Sequence, residues 1–162
     1  LKQHSSYLPS YFLMFAALII TIFTDLETFL ISRYVTLYLI PVGWALSMFK
    51  LLPISPIESI LGSIFGLVLL WTVKKIASRL LQEDGLGQGD IDLIAFIGSF
   101  AGPFGCWISV IFGSLLACVL ILPYALFYKT RNLKIPFGVF LSLGAMAFVI
   151  FQTPLLNFFM PL

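Results

Sequence analysis

The sequence predicts an all-α membrane protein, folded as a polytopic bundle of about six transmembrane helices. Three observations predict this fold class. Of the 162 residues, 60% are hydrophobic and only 10% are charged, whereas a soluble domain carries about 25% charged residues. The mean hydropathy is high, at +1.09. The apolar residues also form long runs without polar alternation, which favours helices over strands in a bilayer.

Six apolar segments follow one another along the chain. Several are shorter than the ~20 residues that cross a bilayer comfortably, so we expect a thin or tilted bundle. We also expect a very tight turn near Trp107, between the fourth segment and the fifth. The segments run approximately from Tyr11 to Thr24, Val35 to Phe49, Ile57 to Val73, Ile91 to Ile108, Ser109 to Phe127 and Pro136 to Phe151.

The basic residues predict an orientation in the membrane. Seven of the nine Lys and Arg residues fall in the three loops that share one side of a six-helix bundle. Because basic loops remain in the cytoplasm, that side is predicted to be cytoplasmic and both termini are predicted to lie outside. The seven are Arg33, Lys74, Lys75, Arg79, Lys129, Arg131 and Lys134, and the other side holds only Lys2 and Lys50.

The net charge and the cysteines argue against nucleic-acid binding, a zinc site and a disulfide framework. A net charge of +2 is too small to indicate nucleic-acid binding, and the lipid bilayer is the expected partner. Cys106 and Cys118 lie inside apolar runs without a CxxC spacing, which argues against a zinc site or a disulfide framework. The sequence predicts no metal and no cofactor, and it makes no prediction about oligomeric state.

Two aspartates stand at the same predicted membrane surface. Asp25 follows the first apolar run, and Asp90 begins the fourth. A helix bundle could bring them together although they lie far apart in the chain. Two carboxylates at short range tend to share one proton, so one could activate water while the other polarises a carbonyl. That chemistry hydrolyses peptides in aspartic proteases.

Structural roles for the same acids stay open at this point. Asp90 stands where a helix N-cap would stand. Asp92 lies in the first turn of the same helix, where it could complement the helix dipole. Two residues turn a helix by about 200°, so Asp90 and Asp92 are expected on different faces.

Three stretches, in this order, resemble the type IV prepilin peptidases, which are membrane aspartic proteases. The region of their first aspartate is similar to "TDLETFLISRYVTLYLIPVGW". Their GxGD motif is similar to "GQGDIDLIAFIG", and the pattern of their last helix is similar to "KIPFGVFLSLGA". Together with the segment count, these matches cover nearly the whole chain.

The resemblance implies an aspartic-type endopeptidase of a bacterial-type cytoplasmic membrane. Such enzymes cleave the short basic leader of type IV prepilins and pseudopilins at the cytoplasmic face, usually after a glycine. The implied catalytic pair is Asp25 and Asp90, the motif glycines are Gly87 and Gly89, and Pro136, Phe137 and Gly138 would lie near the site without a catalytic role.

The chain departs from the family pattern in three places. Asp92 stands where the family usually has Lys, and Leu30, Ile31 and Ser32 stand where it often has Leu-Pro-Asp. Many members also carry an N-terminal methyltransferase domain with paired cysteines, for which the residues before Tyr11 leave no room. We therefore expect a single membrane-embedded peptidase domain over residues 1–162, without a methyltransferase domain.

Two other functions remain as alternatives. One is a transporter-like bundle in which Asp25 and Asp90 bind an ion or relay protons, because acids within membrane segments are often functional. The other is a catalytically inactive scaffold of a pilus or secretion system.

Overall fold

The protein is a bundle of α-helices. The structure, a computed structural model, describes residues 7–29, 31, 33–81, 87–128 and 136–159, and these residues contain no strand. The predicted all-α class is confirmed. The helices are α1 (Leu8–Thr28), α2 (Arg33–Met48), α3 (Pro56–Leu81), α4 (Gln88–Tyr128) and α5 (Phe137–Phe159).

The helices also confirm a membrane bundle. Within the described ranges, three helical stretches are long and apolar enough to cross a membrane: Leu8–Thr28, Pro56–Arg79 and Gln88–Ile121. Phe137–Gln152 is a shorter apolar helix, and α2 has only 16 residues. The count of six crossings therefore stays a prediction.

The predicted turn near Trp107 is wrong, because Trp107 lies inside α4. The fourth and fifth apolar segments instead meet at Gly102, whose backbone has φ 71° and ψ −178°. Glycine adopts a positive φ without the strain that a side chain brings. Pro103 follows, and it starts a helix well because its ring fixes φ and its nitrogen has no hydrogen to donate.

The chain reverses direction at Gly102, so α4 consists of two arms, residues 88–101 and 103–128. A Cβ atom built on Gly66 of α3 would lie 2.8 Å from the Ile94 carbonyl oxygen and 3.1 Å from Cys106 Sγ. In one straight helix, residues 94 and 106 would be about 18 Å apart. Both arms therefore lie beside α3.

Glycine-to-backbone contacts join α3 to the first arm of α4. A Cβ on Gly62 would collide with the carbonyl oxygen of Gly98, and a Cβ on Gly98 would collide with that of Gly62. Ser59 Oγ donates a hydrogen bond of 2.6 Å to the carbonyl oxygen of Ser99. Small residues let two membrane helices approach to backbone contact, and here every residue from 90 to 100 is buried.

Helices α1 and α5 run antiparallel and define the two ends of the bundle. At one end, the Tyr11 hydroxyl and the Gln152 side chain are hydrogen-bonded. At the other end, the Val139 N–H donates to Asp25. We call the end with the Val139–Asp25 contact the site end. The end with the Tyr11–Gln152 contact is the far end, and Gly102 also lies there. The site end thus combines the last turn of α1 with the first turn of α5.

Candidate active site

Asp25 lies in the last turn of α1 and is buried, with 4% of its surface exposed. Phe29 ends the helix in the left-handed conformation, at φ 52°, and its N–H donates to the Asp25 carbonyl oxygen. The carboxylate oxygen Oδ2 accepts the N–H of Val139 at 3.1 Å. The first amides of a helix lack the usual partner one turn back and favour negative charge. The start of α5 therefore holds the Asp25 carboxylate in place.

Asp90 is the third residue of α4 and is also buried. Its Oδ2 accepts the N–H of Gly87, the residue before the helix, at 3.2 Å. The N-cap interpretation is therefore wrong: Gly87 takes the N-cap position, and Asp90 reaches back to it from the first turn. This contact fixes the carboxyl group at the site end of α4.

The structure brings the two aspartates together. The negative charge of Asp25 acts directly on Asp90, and the positive charge of Lys74 on α3 also reaches Asp90. Two buried carboxylates in such proximity resist simultaneous ionisation. The pair can therefore hold one ionised and one protonated group, which is the arrangement that general acid–base hydrolysis requires.

One motif glycine, Gly89, and the near-site Gly138 make room for one isoleucine. A Cβ on Gly89 would lie 2.8 Å from Ile31 Cβ, and a Cβ on Gly138 would lie 2.6 Å from Ile31 Cδ1 and 2.8 Å from Asp25 Oδ2. Gly87 is close to Asp90 instead, with 3.1 Å between such a Cβ and Asp90 Oδ2. The absence of side chains at these positions lets Ile31 and both carboxylates share one site.

Pro136 and Phe137 lead into the site from the last helix. Phe137 is the first residue of α5, and its side chain packs against the hydrophobic core. The described structure gives these two residues a role in starting α5, so that Gly138 and Val139 face Asp25.

Asp92 makes a contact of its own. It is buried, with 4% exposed, and its Oδ2 lies 2.7 Å from Arg33 Nε in an ion pair. The Arg33 side chain is 55% exposed. The pair joins the first residue of α2 to the start of α4, so Asp92 is more than a complement to the helix dipole.

Sequence reasoning missed three participants: Ile31, Arg33 and Val139. In the sequence, Arg33 stands out only for its charge, and Ile31 only as a departure from Leu-Pro-Asp. The unusual acid at Asp92 was the available signal, since a buried carboxylate needs a cationic partner. Val139 contributes its backbone N–H, which no side-chain pattern reveals.

Residues 12–126 match the type IV leader peptidase family. The chain belongs to the type IV leader peptidase family. The matched range contains Asp25, Gly87, Gly89 and Asp90, so both aspartates of the candidate site lie within the family's own region. No solved structure shows a significant match to this type IV leader peptidase family member.

Three curated relatives illustrate the similarity. The chain is 35% identical over 123 residues to the prepilin leader peptidase/N-methyltransferase of Xanthomonas campestris pv. campestris, covering 74% of this chain and 42% of that protein. It is 32% identical over 100 residues to the type 4 prepilin-like proteins leader peptide-processing enzyme of Escherichia coli O78:H11, covering 62% of this chain and 36% of that protein. It is 29% identical over 128 residues to the prepilin leader peptidase/N-methyltransferase of Aeromonas hydrophila, covering 75% of this chain and 42% of that protein. The chain spans about two fifths of the length of these relatives.

Proposed function

We propose that this chain is a membrane aspartic endopeptidase that removes the basic leader from type IV prepilins or pseudopilins. Family membership and the names of the relatives support leader cleavage. They do not favour the transporter-like or scaffold alternatives. The observation that carries the aspartic assignment is the meeting of Asp25 and Asp90 at one end of the bundle, where both are buried and the charge of Asp25 reaches Asp90.

In the proposed mechanism the two carboxylates act as one unit. The ionised aspartate takes a proton from water, and the resulting hydroxide adds to the scissile carbonyl carbon. The protonated aspartate donates its proton to the carbonyl oxygen, and the tetrahedral intermediate then collapses with proton transfer to the leaving amine. The hydrogen bonds from Gly87 and Val139 hold the carboxyl groups in position for these steps.

The proposed location is the cytoplasmic side of a bacterial cytoplasmic membrane. Arg33 and Lys74 lie at the site end, whereas Lys50 follows α2 at the far end, as the charge rule requires for a cytoplasmic site. Labelling a Gln88→Cys variant with an impermeant thiol reagent tests this orientation. The Gln88→Cys substitution is made in a Cys118→Ser background. We expect no reaction from outside intact cells, and external labelling would contradict the proposed orientation.

Leader cleavage by purified protein tests the aspartate pair. Asp25→Asn, Asp90→Asn and the double variant should all fall to nearly the same background, because members of one catalytic unit show strongly non-additive losses. Each asparagine keeps an oxygen that can accept the Val139 or Gly87 N–H, so the fold should persist. The readout is the mobility shift of a prepilin in detergent or vesicles, with the amount of each variant in the membrane measured in parallel.

Glu27→Gln is the matched control. Glu27 lies two residues from Asp25 in the same helical turn, but its side chain is exposed. This variant should cleave at close to the wild-type rate. Near-wild-type cleavage by Asp25→Asn would refute the aspartate pair, and loss of cleavage in Glu27→Gln would show that the assay responds to any change in this turn.

A further inference from the structure

The Arg33–Asp92 ion pair joins the two stretches of chain that follow the candidate aspartates. Arg33 begins α2, shortly after the end of α1 that carries Asp25. Asp92 lies in α4, two residues after Asp90. The distance of 2.7 Å between Arg33 Nε and Asp92 Oδ2 is that of a charge-assisted hydrogen bond. The chain after one aspartate is therefore tied to the chain after the other.

Asp92 is separate from the pair of aspartates itself. Two residues turn a helix by about 200°, and the two carboxylates of this turn have different partners: Asp90 accepts the Gly87 N–H, and Asp92 is paired with Arg33. Asp92 is nevertheless buried, and a buried carboxylate needs a partner. Loss of Arg33 would therefore leave an unpaired charge beside the site.

Ile31, which precedes the ion pair in the chain, contacts the backbone next to both aspartates. A Cβ on Gly89, the residue before Asp90, would lie 2.8 Å from Ile31 Cβ. A Cβ on Gly138 would lie 2.6 Å from Ile31 Cδ1 and 2.8 Å from Asp25 Oδ2. As a β-branched residue, Ile31 has few side-chain rotamers with which to absorb a displacement. A shift of the chain at the ion pair would therefore reach the surroundings of both carboxylates.

We propose that Arg33 and Asp92 are positioning residues, whose ion pair holds the two aspartates in the arrangement that peptide hydrolysis requires. This inference rests on the proposed leader peptidase function. The pair acts through Ile31 and takes no part in proton transfer. A misplacement of about 1 Å caused far from the reacting atoms can lower a rate by ~10²-fold, so the pair should affect kcat and not only the amount of folded protein.

Charge reversal tests this role. Arg33→Asp places an acid beside Asp92, and Asp92→Lys places a second cation beside Arg33, so each single variant replaces an attraction with a repulsion. The double variant restores an ion pair with its charges exchanged. We expect kcat, measured by leader cleavage on the monodisperse protein, to fall at least about tenfold in each single variant and to return to within about threefold of wild type in the double variant. KM should change by less than about threefold, because the pair does not bind the substrate.

A further variant keeps the test decisive where a charge reversal prevents folding. Asp92→Leu keeps the number and branching of the side-chain heavy atoms but removes the buried charge, and such apolar replacements are often tolerated. The Arg33 side chain, 55% exposed, then reaches water. Asp92→Leu should therefore fold, and its kcat should still fall at least about tenfold.

Arg79→Asp is the matched control. It makes the same change of charge as Arg33→Asp, at an exposed residue of α3 that belongs to neither the ion pair nor the site. This variant should cleave at close to the wild-type rate.

The outcomes separate this inference from the proposed function. A wild-type kcat in Asp92→Leu, or a folded double variant no faster than the single variants, would overturn the positioning role and leave the peptidase intact. A lower yield with a wild-type kcat would also overturn it, because a purely structural pair changes only the amount of folded protein. Failure of the wild-type protein to cleave any prepilin would count against the proposed function itself.

Discussion

Helices α3 and α4 meet through backbone contacts between glycines, whereas α1 and α2 leave a cavity of about 410 Å³ between them near the far end. The cavity is lined mostly by the first turns of α1 and by Leu46 and Leu51. Asp90 belongs to the tightly packed pair and Asp25 to the loosely packed pair. The hydrogen bond from Val139 to Asp25 and the Arg33–Asp92 ion pair add polar contacts between the helices at the site end.

The largest expected effect comes from disturbing the tight pair. In Gly62→Leu the new side chain would meet backbone atoms of Gly98 and Gly102, which cannot move aside as a flexible side chain can. We expect loss of the folded protein and not merely of activity, since overpacking against backbone separates the helices. The measurement is the yield of monodisperse protein in detergent.

Thr72→Leu is the matched change on the same helix. Thr72 is exposed, so the added bulk would face lipid and should leave the yield near wild type. Equal yields for Gly62→Leu and wild type would show that α3 and α4 are not held by close approach at this glycine.

A smaller effect is expected at the ion pair between Arg33 of α2 and Asp92 of α4. The loss of stability should differ according to which partner is removed. Arg33→Met leaves the buried Asp92 carboxylate without its partner, which can cost ~3–5 kcal/mol of the free energy of unfolding. Asp92→Asn leaves an Arg33 side chain that is 55% exposed and reaches water, so its cost should be only about 1 kcal/mol. Thermal unfolding in detergent measures the difference.

The double variant sharpens this comparison. Arg33→Met combined with Asp92→Asn should be more stable than Arg33→Met alone, because the unpaired buried charge is then removed. Asp92→Lys should be among the least stable variants, since it would put a second cation beside Arg33. If Arg33→Met and Asp92→Asn were equally mild, the pair would contribute little to holding α2 against α4.

The helical class, which the structure confirms, could be predicted from the sequence, and Asp25 and Asp90 stood out as candidates, because apolar runs and acids within them are local signals. It placed the reversal at Trp107 and not at Gly102, although Gly102-Pro103 is a turn signal of its own. The contacts of Ile31 with Gly89 and Gly138, and of Arg33 with Asp92, join residues that are far apart in the chain. Such pairs depend on how the helices pack, which hydrophobic periodicity does not specify.

The backbone of Gly102 has a consequence for the path of the chain. An unbroken α4 of 41 residues would be about 60 Å long, twice the thickness of a bilayer core, and would carry Tyr128 far from the face that holds Asp90. The reversal at Gly102 instead turns the second arm back toward the site end, where the starts of α4 and α5 both lie. A single residue at the far end thus brings the described chain back to the level of Asp90.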